Sequence, residues 1–180
     1  MAEIIPDSVF SNPLDVVRFV NHNVSSKEED NYAEEVASHL RELLSSKNVD
    51  ANLSISRGQI GSVTHPLIKI WNIDYGTIGI LVNKNILTVM QLKYGKTSSA
   101  IQEIERLRRQ ADGSDNVARR RMAESDSGCC GCLGYFMDSN DAKKKRKEAD
   151  NISYDPAELA SEEYWKRDVL SCIDSLGRGI

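Results

Sequence analysis

The chain has 180 residues, 40% of them hydrophobic, which fits one domain with a single modest core. It has no run of about 18 apolar residues and no basic region followed by an apolar stretch near Met1, so we expect neither a membrane-spanning helix nor a secretory signal. Three of its four cysteines are crowded together, which argues against the disulfide framework of a secreted protein and favours the cytoplasm or the nucleus.

The net charge of −4 is distributed unevenly along the chain. The segment charges are −6 for residues 1–50, +4 for 51–96, +3 for 97–147 and −5 for 148–180. A basic middle between acidic ends indicates an anionic partner for the middle, or ends that fold back onto it. The alternative is that ordinary solvated faces happen to segregate in this way.

The first quarter of the chain predicts a flexible arm followed by two helices. Residues 1–11 have no apolar periodicity and are assigned to the arm. Asn12 and Pro13 suit the start of a helix, and apolar residues recur at helical spacing over residues 12–25. A capping pattern at Ser26 then opens a longer helix, which carries one apolar stripe and reaches about Lys47.

The middle of the chain predicts a sheet. Residues 51–57 alternate apolar and polar, which is typical of an edge strand, and Pro66 to Tyr94 has the β-branched runs and Asn, Asp and Gly breaks of a three-stranded meander. By parity one face of the meander is apolar, whereas the opposite face carries Lys69 and Trp71 and stays partly open. Gly79 indicates either the close approach of a neighbour or simple tolerance within its strand.

Helices are predicted again after the sheet. Thr97 to Gln110 forms one whose apolar stripe packs on the sheet core, and the polar run at residues 112–116 ends it. Residues 112–151 lack apolar periodicity and are assigned to a basic, cysteine-bearing linker that is disordered in isolation. Order returns in a C-terminal amphipathic helix within 152–180, which Asp155 and Pro156 open.

The predicted fold is therefore α+β, with an antiparallel sheet of three to four strands at about residues 51–94. Helices precede and follow the sheet in sequence, and a further helix lies at the C-terminus. The globular part covers residues 12–111. The apolar stripe of the C-terminal helix is expected to dock back onto this domain or onto another protein, through Trp165, Val169, Ile173 and Leu176.

The cysteine cluster at Cys129, Cys130 and Cys132 supports three interpretations. Adjacent cysteines beside a short apolar patch are plausible acceptors of a fatty acid, and the lysine run that follows would add the electrostatic signal that stable anchoring needs. Cys129 and Cys132 also have the spacing of two zinc ligands, although a closed site needs four. The third interpretation is surface thiols without a role.

The basic residues between Arg106 and Lys147 are candidates for binding an anionic partner. The run at Lys143 resembles a nuclear localisation signal and could equally contact the phosphates of nucleic acid or lipid, without sequence specificity. The eleven residues of this set are Arg106, Arg108, Arg109, Arg119, Arg120, Arg121, Lys143, Lys144, Lys145, Arg146 and Lys147.

No catalytic constellation is recognisable, since His22, His39 and His65 sit in unrelated contexts and no phosphate loop or serine elbow occurs. We therefore predict a protein that is not an enzyme and takes no small-molecule substrate. Apart from zinc in one interpretation, no cofactor is predicted.

The order of helix, three-stranded meander and helix at residues 27–111 resembles the second half of the small adaptor modules of the roadblock family. The stretch that carries the resemblance runs from Pro66 to Lys96, in particular Leu-Ile-Lys-Ile-Trp-Asn-Ile-Asp-Tyr-Gly followed by Thr-Ile-Gly-Ile-Leu-Val. The resemblance implies a non-catalytic scaffold that pairs through its sheet or helix and recruits partners to a membrane or a motor.

These patterns favour an interaction or adaptor protein whose basic, cysteine-rich linker tethers it to a membrane or to another anionic partner. Its expected partners are other proteins, or a second copy of itself. The first alternative is an accessory viral or nuclear protein that binds nucleic acid non-specifically through residues 106–147. The second is a zinc-stabilised regulator. The candidate locations are the cytoplasm, a membrane surface and the nucleus.

Overall fold

The computed structural model of the chain describes residues 3–4, 18–21, 29–60, 62–83, 86–124 and 129–176. The strands are β1 (Glu3–Ile4), β2 (Arg18–Asn21), β3 (Asn52–Ile60), β4 (Val63–Asn72), β5 (Gly76–Asn83) and β6 (Ile86–Tyr94). The helices are α1 (Glu29–Ser46), α2 (Lys96–Glu124), α3 (Cys129–Asp150) and α4 (Pro156–Leu176).

The chain divides into two compact units. Unit 1 consists of Met1–Lys96 together with Ala157–Ile180, and unit 2 consists of Thr97–Pro156. The C-terminal helix therefore belongs to the same unit as the sheet. The helix that directly follows the sheet does not, which differs from the predicted globular part at residues 12–111.

Unit 1 is built on a sheet with the strand order β1-β3-β4-β5-β6-β2. The four long strands form an antiparallel meander, which confirms the predicted α+β fold. β-branched residues are frequent in these strands, because their side chains pack well on a pleated surface.

Two short strands correct the prediction for the N-terminal part. Residues 18–21 form β2, which pairs antiparallel with β6 from Arg18↔Val89 to Asn21↔Ile86, so the predicted helix at residues 12–25 is wrong there. Glu3 and Ile4 pair in parallel with β3, within the segment that was assigned to an arm. The rest of both predicted segments lies outside the described residues.

The main core of unit 1 lies between one face of the sheet and two helices. The sheet contributes the predicted face, and α1, which follows the predicted stripe, covers it together with α4. The buried sheet residues are Ile68, Ile70, Ile78, Ile80, Val82, Leu87 and Val89. The buried residues of α1 are Tyr32, Ala33, Val36, Ala37, Leu40 and Leu44. The helix formed as predicted because its apolar residues recur every three or four positions.

The opposite face of the sheet is closed at its centre. Leu67, Leu81 and Met90 form a second buried cluster there, and the half-buried Leu92 packs against it. The prediction that this face stays partly open is confirmed, since Trp71 is exposed while the centre of the face is buried. Gly79 belongs to this cluster, since a Cβ added to it would lie 2.6 Å from Cδ1 of Leu92 and 3.2 Å from Cδ1 of Leu67. The close approach of a neighbour, one of the two interpretations, is therefore correct.

We expect Gly79→Ala to destabilise unit 1 by ~1–3 kcal/mol, because the added methyl group forces Leu92 out of its position. Urea unfolding followed by circular dichroism measures the change. Gly113→Ala is the matched control, since a Cβ at Gly113 meets nothing within 4 Å. Adding Leu92→Ala should recover part of the loss, and an equal loss with and without it would contradict the packing explanation.

Candidate functional site

Unit 2 contains an antiparallel hairpin of α2 and α3. Polar side-chain contacts join the two helices, and partners later in α2 lie earlier in α3. Among these contacts are Arg108–Asp150 at 3.8 Å, Arg146–Asp112 at 3.1 Å, Arg146–Asp115 at 2.5 Å, Ser114–Asp141 at 3.0 Å and Arg121–Asp138 at 2.8 Å. The described part of the predicted linker is thus helical apart from Asn151.

The seam of this hairpin is lined by small residues. Ala111 and Ala118 of α2 and Ala142 and Ala149 of α3 are all buried. Each pair is seven residues apart, which keeps both members on one side of a helix. Alanine lets two helix backbones approach closely, so the described part of the seam at these four positions is packed by small side chains.

One end of the seam carries larger apolar groups. Ile104 and Leu107 of α2 pack there against Ala149 and the half-buried Ile152. The stripe that was predicted to bind α2 to the sheet core thus contributes to a cluster of its own within unit 2. The run at residues 112–116 does not end α2, because Ser114 and Asp115 bond to side chains of α3. Tertiary contacts of this kind override the weak helix propensity of Gly, Ser and Asp.

Seven of the eleven candidate cations form ion pairs inside unit 2. Within single helices these are Arg106–Glu103, Arg109–Glu105, Lys144–Glu148 and Lys145–Asp141. Between the helices they are Arg108–Asp150, Arg121–Asp138 and the two contacts of Arg146, with Asp112 and Asp115. Hydrogen bonds from Lys145 and Ser114 lower the pKa of the Asp141 carboxyl, and a hydrogen bond from Arg106 lowers that of Glu103.

The other four cations, Arg119, Arg120, Lys143 and Lys147, are exposed and pair with no carboxylate among the described residues. Arg119 and Arg120 lie near the C-terminal end of α2. Lys143 and Lys147 lie along α3. The charge available to an anionic partner is therefore smaller than the sequence suggests, and part of it is concentrated at the end of α2.

The predicted cysteine cluster lies at the start of α3. Cys129 is the first residue of this helix and Cys132 the fourth, while only residues 125–128 separate α3 from the end of α2. Because the hairpin is antiparallel, Arg119 to Arg121 lie at the same end as the cysteines. We call this end the α2–α3 tip, defined by residues 119–121 and 129–132.

Neither a family model, nor a curated protein, nor a solved structure matches the chain.

The basic run at residues 143–147 lies far from the α2–α3 tip. Lys143 follows Cys132 by eleven residues of continuous helix, a rise of about 16 Å. Lys144, Lys145 and Arg146 are also engaged by carboxylates. The run therefore does not lie beside the cysteines, and the basic residues at the tip are the arginines of α2.

The four residues predicted to dock a partner are buried within unit 1. Trp165, Val169, Ile173 and Leu176 lie in the main core, and Trp165 Nε1 donates a hydrogen bond of 2.9 Å to the Asp50 carbonyl. These residues are not available to another protein, which corrects that prediction, whereas the alternative of docking back is confirmed. The buried Cys172 belongs to the same core, and burial raises the pKa of its thiol.

No group of three His, Cys, Asp or Glu side chains that could hold a metal ion occurs among the residues whose side chains are described. The side chains of Cys129, Cys130 and Cys132 lie outside that set. The His65 Nδ1 and Glu29 Oε2 atoms lie 3.2 Å apart and join β4 to the start of α1. Over the described residues, none of the helices combines the length and apolar character needed to cross a membrane.

Sequence reasoning missed the hairpin because Ala111, Ala118, Ala142 and Ala149 occupy seam positions at which a core-facing helix usually carries large apolar residues. One signal was present in the sequence: Ile104, Ala111 and Ala118 recur at intervals of seven residues, as do Ala142 and Ala149. A heptad spacing of this kind indicates two packed helices.

Proposed function

We propose that this protein is a non-enzymatic adaptor that is held at a membrane by fatty acylation of Cys129, Cys130 or Cys132. The observation that carries the proposal is the position of these residues at the end of a helical hairpin. A thioester-linked acyl chain attached there could enter a bilayer while the rest of the hairpin stays in water. A single acyl chain gives only marginal, reversible binding, so a second signal is needed.

The arginines of α2 supply this second signal at the α2–α3 tip. Arg119 and Arg120 are exposed and have no ion-pair partner among the described residues, so both remain available to anionic lipid headgroups. A cation near an anionic leaflet contributes about 1 kcal/mol of binding free energy. The tip thus combines an acylation site and positive charge.

The adaptor part of the proposal is supported by the edge of the sheet. β1 covers β3 only at Gly58 and Gln59, so in the described part of the chain residues 52–57 of β3 pair on one side alone, with β4. The free edge of a strand presents backbone donors and acceptors to another extended chain. A partner protein or a second copy could pair there, in keeping with the resemblance to roadblock-type modules.

We expect the intact protein to fractionate with membranes in eukaryotic cells, and the variant with Ser at Cys129, Cys130 and Cys132 to become soluble. Treatment with neutral hydroxylamine, which cleaves thioesters, should release the intact protein in the same way. Cys172→Ser is the matched control, because this cysteine is buried and its substitution should leave the protein on membranes. A triple-Ser variant that fractionates with membranes as fully as the intact protein does, or intact protein that is soluble, would contradict acylation.

Non-specific nucleic-acid binding is the second candidate, favoured by the four cations without carboxylate partners. It predicts that affinity for a single-stranded oligonucleotide falls steeply with salt concentration. It also predicts that replacing Arg119 and Arg120 with Ala weakens binding further than replacing Arg106 and Arg109, although each pair removes two charges. The latter two are already paired with Glu103 and Glu105. If both replacements reduced the affinity for the oligonucleotide equally, the cations without carboxylate partners would not be the preferred phosphate contacts.

A further inference from the structure

The turn between β4 and β5 presents an aliphatic side chain to solvent. Ile73 is 83% exposed, more than any other large apolar residue among those described, and Trp71, two residues earlier, is 38% exposed. Scattered exposed apolar residues are ordinary on protein surfaces. These two are close in sequence and lie at the end of a hairpin, which makes them a protruding pair.

Hydrogen bonds hold this turn in one conformation. The side-chain oxygen of Asn72 accepts hydrogen bonds from the backbone N–H groups of Asp74, at 3.0 Å, and Tyr75, at 3.4 Å. The Asn72 amide in turn donates to the carbonyl of Asp50 at 3.1 Å, and the Lys96 N–H donates to the carbonyl of Asp74 at 2.9 Å. Hydrogen bonds within the turn and to Asp50 and Lys96 thus fix its conformation. The exposure of Ile73 follows from this fixed conformation.

Gly76 and Tyr75 complete the support of the turn. Gly76 has a φ of 102°, and a Cβ at this position would overlap the carbonyl oxygen of Lys93, so only glycine fits. The ring of Tyr75 faces inwards and lies 6.1 Å from that of the buried Trp165. Of the two large side chains in the turn, one is therefore anchored in the core and the other points into solvent.

Two lysines lie near the protruding pair. Thr77 is the cross-strand partner of both Trp71 and Lys93, which places these two on one face of the sheet, two strands apart. Lys93 and Lys96 are exposed, and the four long strands contain no Asp or Glu. Three carboxylates lie close to the turn: that of Asp74 within it, that of Asp50, whose Oδ2 accepts a hydrogen bond from Asn72, and that of the buried Glu162, beside Gly95.

We propose that the β4–β5 turn is a lipid-contacting site, at which Ile73 and Trp71 enter the headgroup region of an anionic bilayer and Lys93 and Lys96 meet its phosphates. The site is convex, and a fluid bilayer accepts a protruding side chain without a complementary pocket, whereas a protein partner must supply one. Tryptophan favours the membrane interface, because its ring is apolar and its N–H is polar. An isoleucine side chain has no group that can hydrogen-bond a base edge and no ring on which a base can stack.

This inference rests on the proposed membrane function, to which it adds a weak contact that requires no acylation. In this arrangement the acyl chain keeps the protein on the membrane, and the β4–β5 turn binds anionic lipid. The two contributions can be measured separately, because one depends on cysteines and the other does not.

The test uses the full chain with Ser at Cys129, Cys130 and Cys132, so that acylation cannot contribute. Co-sedimentation with vesicles of phosphatidylcholine and phosphatidylserine should exceed that with phosphatidylcholine alone. Tryptophan emission should shift to the blue on binding, because Trp71 is exposed while Trp165 is already buried. Ile73→Asp should weaken binding at least tenfold, and Asp74→Asn should strengthen it, since it removes a negative charge from the contact.

Ile86→Asp is the matched control. Ile86 is 42% exposed at the start of β6, at the opposite end of the β5–β6 pair from the β4–β5 turn, so the same substitution there should leave vesicle binding unchanged. Circular dichroism should show that both Asp variants are folded. The proposal is overturned if Ile73→Asp binds as the parent does, if Ile86→Asp loses as much, or if a single-stranded oligonucleotide shifts the Trp71 emission and vesicles do not. None of these outcomes depends on whether the cysteines are acylated in cells.

Discussion

Ile173→Ala should lower the free energy of unfolding of unit 1 by ~2–5 kcal/mol. Ile173 is fully buried, and α4 closes the core that the sheet and α1 leave open on one face. Truncation removes transfer free energy and leaves a cavity, because close-packed surroundings relax only in part. Chemical denaturation followed by tryptophan fluorescence measures the change, since Trp165 lies on the same helix.

Tyr164→Ala serves as its control. The Tyr164 side chain is 57% exposed, and the guanidinium of Arg167 lies 4.7 Å from the centre of its ring. We expect this substitution to change stability by less than about 1 kcal/mol. If Ile173→Ala changed the free energy of unfolding as little as Tyr164→Ala does, α4 would be a loosely attached helix. Its apolar stripe would then be available to a partner.

Ala142→Leu should open the α2–α3 hairpin. Ala142 is fully buried at the seam, and a leucine side chain there exceeds the space between two closely packed helices, at a cost of ~1–3 kcal/mol or more. Hydrogen exchange should then accelerate along α2 and α3 while the strands of unit 1 keep their protection, since the two units have separate cores.

The matched control for the seam is Asn140→Leu. Asn140 lies two residues earlier in α3 and is exposed, so leucine is accommodated there and helix propensity even favours it. If protection from hydrogen exchange fell equally in Ala142→Leu and Asn140→Leu, the effect would come from leucine itself. The role of the alanine seam would then have to be abandoned.

The parts of the fold that were predicted correctly are those in which apolar residues recur at a regular helical or strand spacing. The stripe of α1 and the alternation in β4 and β5 each contain enough apolar residues to define a buried face. The start of α4 was marked by Asp155 and Pro156. In each case the local pattern and the tertiary environment demand the same structure.

The segments that were predicted wrongly depend on partners far away in sequence. Arg18 to Asn21 fits a helical period but pairs instead with β6, whose edge offers backbone hydrogen bonds to a β-branched and aromatic run. Residues 112–151 looked like a linker because alanine contributes little to an apolar pattern. The cysteines and arginines of the candidate site were visible in the sequence. Their position at one end of a hairpin was not, because it follows from contacts between α2 and α3 that join residues far apart in sequence, such as Arg121–Asp138 and Arg108–Asp150.

The arrangement of unit 1 also has a consequence for synthesis. Its core needs α4, yet the whole of unit 2 lies between β6 and α4 in the chain. On the ribosome, the sheet and α1 therefore emerge with an apolar face uncovered, and it stays uncovered until the last described helix has been made. Nascent chains with exposed apolar surface are aggregation-prone and attract chaperones. Premature termination within unit 2 would leave a sheet that cannot close, so quality control of this protein should eliminate such fragments rapidly.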